Sequence, residues 1–265
     1  MTSQRADYFG ELQANAALFN LTEVISVPPL DADNLALVLR EPLVNEPGTK
    51  VVYSDLGFIL LGEIVERLTG QDLGSFAKAE IFEPLGMNHT MFEPPGSFRK
   101  LIPPEERDAE GRKGLIQGQV HDGNAFAMGG VSGHAGLFST AGDLAIFAQT
   151  MLNGGIYAHH RLLERSTIEQ FTAPVKIDNS TRTLGWDTPA DTTSSGHYFS
   201  ASSFGHTGFT GTSIWIDPEK QLFVILLTNR VYPTRDDIKI REVRPLVHDA
   251  IVEGLGLASE RAAAH

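Results

Sequence analysis

Apolar positions between residues 54 and 70 recur at helical spacing, with Leu56, Leu60, Ile64 and Leu68 on one stripe, Ser54 placed to cap the start and Gly70 to end it. This is the strongest helix prediction in the chain. Shorter helices are expected at 15–25 and 34–40, separated by Pro28-Pro29, and at 73–81 before the stop Pro84-Leu85-Gly86. Another should open at Thr140 or Asp143 and run through Leu152 to Asn153-Gly154-Gly155. Two β-rich runs follow, TSIWI at 212–216 and LFVILL at 222–227, joined by Asp217-Pro218-Glu219-Lys220, which is turn chemistry for an antiparallel hairpin. LFVILL is apolar at every position, as a central strand covered on both faces would be. Helical periodicity returns over 238–255, interrupted by Pro245, and 93–118 reads as a long surface loop.

The pattern predicts an α/β fold: an antiparallel sheet flanked by helices, plus a mainly helical subdomain. One domain is expected over 1–265, with residues 12–175 mainly helical and 180–258 holding the sheet and the closing helix. The length suits that, and 42% hydrophobic with 20% charged residues is ordinary globular composition. With 21 basic against 33 acidic residues the formal charge is 21 − 33 = −12, which disfavours nucleic acid and anionic lipid as partners. There is no cysteine, hence no disulfide, thiol nucleophile or cysteine-held zinc. No apolar run is long enough to span a bilayer, and MTSQRADYFG does not read as a signal peptide, so a cytoplasmic location is the default expectation.

Three groups could carry chemistry. Tyr53-Ser54-Asp55 stands at the start of the strongest helix, where the positive end of the helix dipole would favour a phenolate and so a general base. The segment from Val120 to Thr140 holds His121, Asp122 and His134 among glycines, yet it lacks metal-ligand spacing, and His159-His160 are adjacent; no metal and no cofactor are expected. FGHTGFTG, at 204–211, puts a histidine and three glycines at the mouth of a strand, which implies close backbone approach or a corner.

In order, YSDLGFILLGEIVE, FEPLGMNHTMF, GGVSGHAGLFSTAGDLAIFA and FGHTGFTGTSIWIDPEKQLFVILLTNR resemble the serine β-lactamase and penicillin-binding-protein superfamily, in its class C-like, esterase-type branch. The resemblance runs from about Tyr8 to Leu255. That family carries Ser-x-x-Lys with the nucleophile, a Tyr-x-Asn, and Lys-Thr-Gly on an edge strand. The resemblance implies that Tyr53 is the motif tyrosine and that Asp55 stands at the asparagine position. His206-Thr207-Gly208 would be the third motif, with histidine for lysine. It further implies a substrate lying along that strand and an oxyanion donor in the Phe209 N–H. Asp55 departs from the pattern, since a carboxylate does not donate as an amide does.

No Ser-x-x-Lys precedes Tyr53. The literal matches, Ser75-Phe76-Ala77-Lys78 and Ser97-Phe98-Arg99-Lys100, both come after it, in the wrong order. The expectation is therefore an N-terminally truncated β-lactamase-like fold. It would be the C-terminal portion of a serine hydrolase acting through an acyl-enzyme on an ester, amide or β-lactam, inactive alone. Its partner would be a small acyl substrate. The absent strands would leave a sheet edge open to self-association. Two alternatives stand beside it: a non-catalytic binder of acyl or peptidoglycan-like ligands, and, more weakly, a histidine-based metal hydrolase. Substrate choice would lie in the loops 93–118 and 178–203.

Overall fold

The computed structural model describes residues 38–108, 112, 114–177, 180, 182–189 and 194–258. The helix expected at 15–25 lies outside the described residues, and of the one expected at 34–40 only residues 38–40 are described; these are helical.

Helix α1 (Asp55–Thr69) forms as its periodicity predicts and ends on Gly70, whose φ of 72° is the left-handed conformation that glycine adopts without a Cβ penalty. Leu56, Ile59 and Leu60 are buried with Val38, while Leu68 is 52% exposed, so the predicted stripe stops a turn early. Ser54 occupies the cap position, but its side chain makes no capping bond. α2 (Leu73–Ala77) is capped by Asp72, and the chain then widens into a π-helical turn, Lys78–Phe82, before α3 (Glu83–Leu85). The single helix expected over 73–81 is therefore widened just ahead of Pro84, which has no N–H for an ordinary i→i−4 bond.

The predicted loop at 93–118 carries local order. It begins past the short strand β1 (Met91–Phe92), makes a 3₁₀ turn at Gly96–Leu101, and pairs β2 (Arg107–Asp108) with β3 (Gly114–Leu115). After α4 (Gly123–Ala127), β4 (Leu137–Phe138) pairs with β1. Helix α5 (Ala141–Leu152) opens on Thr140, whose hydroxyl accepts the Asp143 N–H. The hairpin β5 (Ile156–Tyr157) and β6 (His160–Arg161) leads to α6 (Arg165–Thr172).

The main sheet is antiparallel, in the order β7 (Phe204–Thr207), β8 (Thr212–Asp217), β9 (Leu222–Leu227). The β8–β9 turn is organised by Asp217, fully buried, which accepts from the N–H groups of Glu219, Lys220 and Ser200 and from the Ser200 hydroxyl. Side chains alternate across β8. Ile216 and Ile214 join Ala148 and Met151 of α5 on one face; Trp215 packs with Phe199 and with Val252 of α7 (Ile240–Gly254) on the other. The sheet is thus sandwiched between helices.

One strand position differs from expectation among the described residues: there β8 is paired on both sides, and β9 has no partner on its outer edge. Its apolar run reports two covered faces, with Phe223 on the α5 side and Val224 on the α7 side, and says nothing about edges.

Candidate active site

The third predicted motif sits on β7 and is fixed by the core beneath it. Phe204 is buried in the cluster with Met151 and Ile168, and Gly205 pairs with Trp215. A Cβ on Gly205 would lie 2.4 Å from the Ile214 carbonyl oxygen and 2.5 Å from the Trp215 ring. The first glycine of FGHTG therefore serves close packing of β7 on β8. Gly208 likewise abuts Thr212, whose Oγ1 would be 2.1 Å from an added Cβ.

His206 is held at both nitrogens. Arg182 Nη1 donates to Nε2 at 3.0 Å, and Nδ1 lies 2.9 Å from the Thr207 carbonyl, to which it donates. Burial first, and the Arg182 charge second, push the His206 pKa below its ordinary value. Tyr53 approaches from the start of α1, its ring stacked on that imidazole at 6.1 Å between centroids, with the Arg182 guanidinium carbon 5.1 Å from the tyrosine ring centre. The structure thus brings Tyr53 and His206 together from opposite ends of the chain. Arg182 joins them, a residue that no spacing in the sequence singled out.

Partial desolvation first, then the Asp55 charge, push the Tyr53 pKa up against the opposing pull of Arg182, with a smaller upward push from Asp122. Tyr53 is also 64% exposed, so solvent screens each of these charges. Its resting state is the phenol.

Asp55, the first residue of α1, faces Asp122 and His134; one donor atom from each lies within 4.8 Å of the others. What brings the 130–136 loop so close is Gly133, where a Cβ would stand 2.0 Å from the Phe58 carbonyl oxygen of α1. Asp122 Oδ1 accepts from His134 Nε2 and from the Ala125 N–H, both at 2.8 Å, and Ser132 Oγ is 2.8 Å from His134 Nδ1. The sequence argued against a metal because residues 120–140 lack ligand spacing; Asp55, which joins Asp122 and His134 in the fold, comes from a different element. The geometry supplies three donor groups, with both His134 nitrogens already committed to hydrogen bonds. Burial first, then the Asp122 charge, raise the Asp55 pKa against the opposing pull of His134. The acid form, which can donate as an amide does, is correspondingly easier to reach.

Phe209 follows β7. Its N–H makes no hydrogen bond to another described residue, and its ring is stacked on His121 at 5.5 Å with the Arg230 guanidinium 4.1 Å from its centre. His121 in turn bonds Glu106, which also takes Arg235. Thr207 pairs with Ser213 at the end of the strand. The literal Ser-x-x-Lys pairs lie elsewhere. Ser75 and Lys78 line a small cleft of about 260 Å³ with Phe82, Thr90 and Glu93, which includes neither Tyr53 nor His206. Ser97 is exposed on the 3₁₀ turn.

The beta-lactamase family model matches residues 1–248. The chain is 41% identical over 222 residues to an Escherichia coli (strain K12) protein named "Putative D-alanyl-D-alanine carboxypeptidase", covering 77% of this chain and 51% of that one. It is 43% identical over 205 residues to the N-acetylmuramyl-L-alanine amidase of Bacillus subtilis (strain 168), covering 71% and 46%. The chain spans about half the length of these curated relatives. Among solved structures, a penicillin-binding protein homolog from Caulobacter crescentus matches with a TM-score of 0.65 at 17% identity, over 92% of this chain and 75% of that one. A beta-lactamase from Mycobacterium bovis matches at 0.59 and 22%, over 92% and 83%. Fold, motif order and relatives converge: the chain belongs to the beta-lactamase family, within the superfamily of serine hydrolases that includes the penicillin-binding proteins.

Proposed function

We propose that this chain provides the tyrosine and edge-strand half of a serine hydrolase active site that works through an acyl-enzyme on a small acyl substrate. The observation that carries the reading is the convergence of Tyr53, from the start of α1, with His206 on β7, stacked at 6.1 Å beside a Phe209 N–H that no described residue engages. In this arrangement Tyr53 is the proton-transfer group. Its phenol is the acid form at rest and requires a nearby cation to become a base. Thr207 and Gly208 line the strand along which the acyl group lies, and Phe209 donates to the oxyanion. Asp55 takes the place of the motif amide. The nucleophile is the serine of a Ser-x-x-Lys segment, which does not occur upstream of Tyr53 in this sequence. The names of the two curated relatives, a carboxypeptidase and an amidase, favour a peptidoglycan-like amide as the acyl substrate.

The test is reconstitution. The chain alone should hydrolyse chromogenic esters and cephalosporins no faster than its Tyr53→Phe variant. Supplied with the Ser-x-x-Lys segment of a relative, fused or as a separate chain, it should gain esterase activity, and a fluorophosphonate probe should label only the supplied serine. Tyr53→Phe should then cost roughly 10²–10⁴ in rate. Turnover by the chain alone that disappears in Ser75→Ala or Ser97→Ala would overturn the assignment of the nucleophile. A second reading, a binder of acyl or peptidoglycan-like ligands without catalysis, is favoured by the same missing motif. It predicts ligand binding with no rate after reconstitution.

A further inference from the structure

We infer that Arg182 is the positioning residue of this cleft: its guanidinium fixes the His206 imidazole in the Nδ1–H tautomer and sets a permanent positive charge beside the Tyr53 ring. Three independent pieces of geometry carry this. First, a guanidinium only donates, so the 3.0 Å contact from Arg182 Nη1 requires an unprotonated His206 Nε2, and the remaining proton goes to Nδ1, facing the Thr207 carbonyl at 2.9 Å. A histidine committed in this way is neutral and brings no charge of its own to the cleft. Second, the Arg182 Cζ lies 5.1 Å from the centre of the Tyr53 ring, within cation–π range, and the same ring stacks on His206. A tyrosine 64% exposed has little packing to orient it; these two contacts supply the orientation.

Third, the arginine is itself anchored to the motif strand. Its backbone bridges Asp187, and Asp187 exchanges two backbone hydrogen bonds with Gly205, at 2.8 and 3.0 Å. The Asp187 carboxylate also stands 3.7 Å from Arg182 Nη2. Arg182, Asp187 and Gly205 therefore form a short ladder on the free side of β7, and the Arg182 side chain reaches back over the next residue, His206. The other charges facing this pair are Asp55 and Asp122 on the Tyr53 side and Asp187 and Arg244 around His206. Of the cations among these, Arg182 is the one that bears on both rings.

The use of this charge in catalysis rests on the hydrolase reading; the positioning does not, and it is measured without turnover. Nitrogen-15 spectra of the full chain, with His206 assigned by the signal lost in His206→Gln, should show an unprotonated Nε2 at neutral pH. A protonated Nε2 in the wild-type chain overturns the inference with no variant needed. Arg182→Met should release the imidazole to a mixture of tautomers, and the carbon-13 titration of Tyr53 should shift upward by roughly 0.5–1 pH unit. Arg182→Lys, which keeps the charge and a donor, should restore most of both signals, a recovery that a purely structural role would not give. If Arg182→Met does not fold, Arg182→Gln supplies the uncharged case for the Tyr53 titration. An unshifted Tyr53 titration in either folded uncharged variant sinks the proposal. Failed reconstitution with these spectra as expected would sink the hydrolase reading alone.

Discussion

His134 Nε2 lies 2.8 Å from Asp122 Oδ1, and that same oxygen caps α4 by accepting the Ala125 N–H at 2.8 Å. One carboxylate oxygen thus ties the glycine-rich loop at 130–136 to the start of a helix, next to Asp55. Burial raises the Asp122 pKa, but the bonds from His134 and Ala125 outweigh it and hold the carboxyl below its ordinary range. A depressed folded value contributes stability above the unfolded pKa, and that contribution is lost as pH falls through the folded one. Asp122→Asn should cost roughly 1–3 kcal/mol at neutral pH, with the difference from wild type shrinking in acid. Chemical denaturation at pH 7 and pH 3 would read this out.

Asp55 behaves in the opposite sense. Its raised pKa means that the ionised form is disfavoured in the fold, so its contribution is fully present below the unfolded value and lost as pH rises through the folded one. Asp55→Asn should therefore leave stability at neutral pH unchanged or improve it by roughly a few tenths of a kcal/mol, screened because Asp55 is only half-buried. A clear loss of melting temperature at pH 7 would show that the carboxylate is required as a charge.

Glu105 is pushed up to about 7 by burial, against the pull of Arg112, and its Oε2 has no hydrogen-bond partner among the described residues. Its stabilising acid form is present below the unfolded value near 4.5 and is lost as pH rises through about 7. Glu105→Gln should flatten that slope and stabilise the chain at pH 8 by roughly 1–3 kcal/mol, seen as a higher denaturation midpoint.

At Gly205 the expected outcome is a simple loss. A methyl group there meets the Ile214 carbonyl and the Trp215 ring, so Gly205→Ala should destabilise by roughly 1–3 kcal/mol and widen the β7–β8 spacing. Near-ultraviolet circular dichroism of the buried tryptophan, together with thermal melting, would check this.

The outer edge of β9, unpaired among the described residues, is the expected route of self-association. Leu227, 43% exposed near its end, is a position where a lysine discourages edge pairing without touching the core. Leu227→Lys should move the chain toward monomer in size-exclusion chromatography. An unchanged elution profile from an associated wild type would place the contact elsewhere.

The elements with a strong period were legible in the sequence. α1, α5 and the β8–β9 hairpin lie where apolar spacing and turn chemistry put them. Tyr53 and His206 were singled out by the family resemblance of their motifs, and the structure brings their rings together. Two things were not legible. The edge position of β9 among the described residues was hidden, since an all-apolar strand reports covered faces and not hydrogen-bonded sides. Arg182 was hidden because its role depends on a ladder through Asp187 to Gly205, and pairing between distant segments leaves no local period. A basic residue just ahead of the Leu184-Gly185-Trp186 turn, upstream of the histidine strand, was the one available signal.

The packing of Gly205 on Trp215 also has a kinetic side. Trp215 has no exposed surface, and Phe204 is 2% exposed, so β7 opens only when the layer beneath it does. The backbone amide of His206 should then exchange its hydrogen for deuterium at the pace of global unfolding, while the N–H of Phe209, two residues past Thr207 and outside the ladder, exchanges freely. These two amides sit three residues apart on one strand and its turn, and solvent would reach them on timescales separated by orders of magnitude.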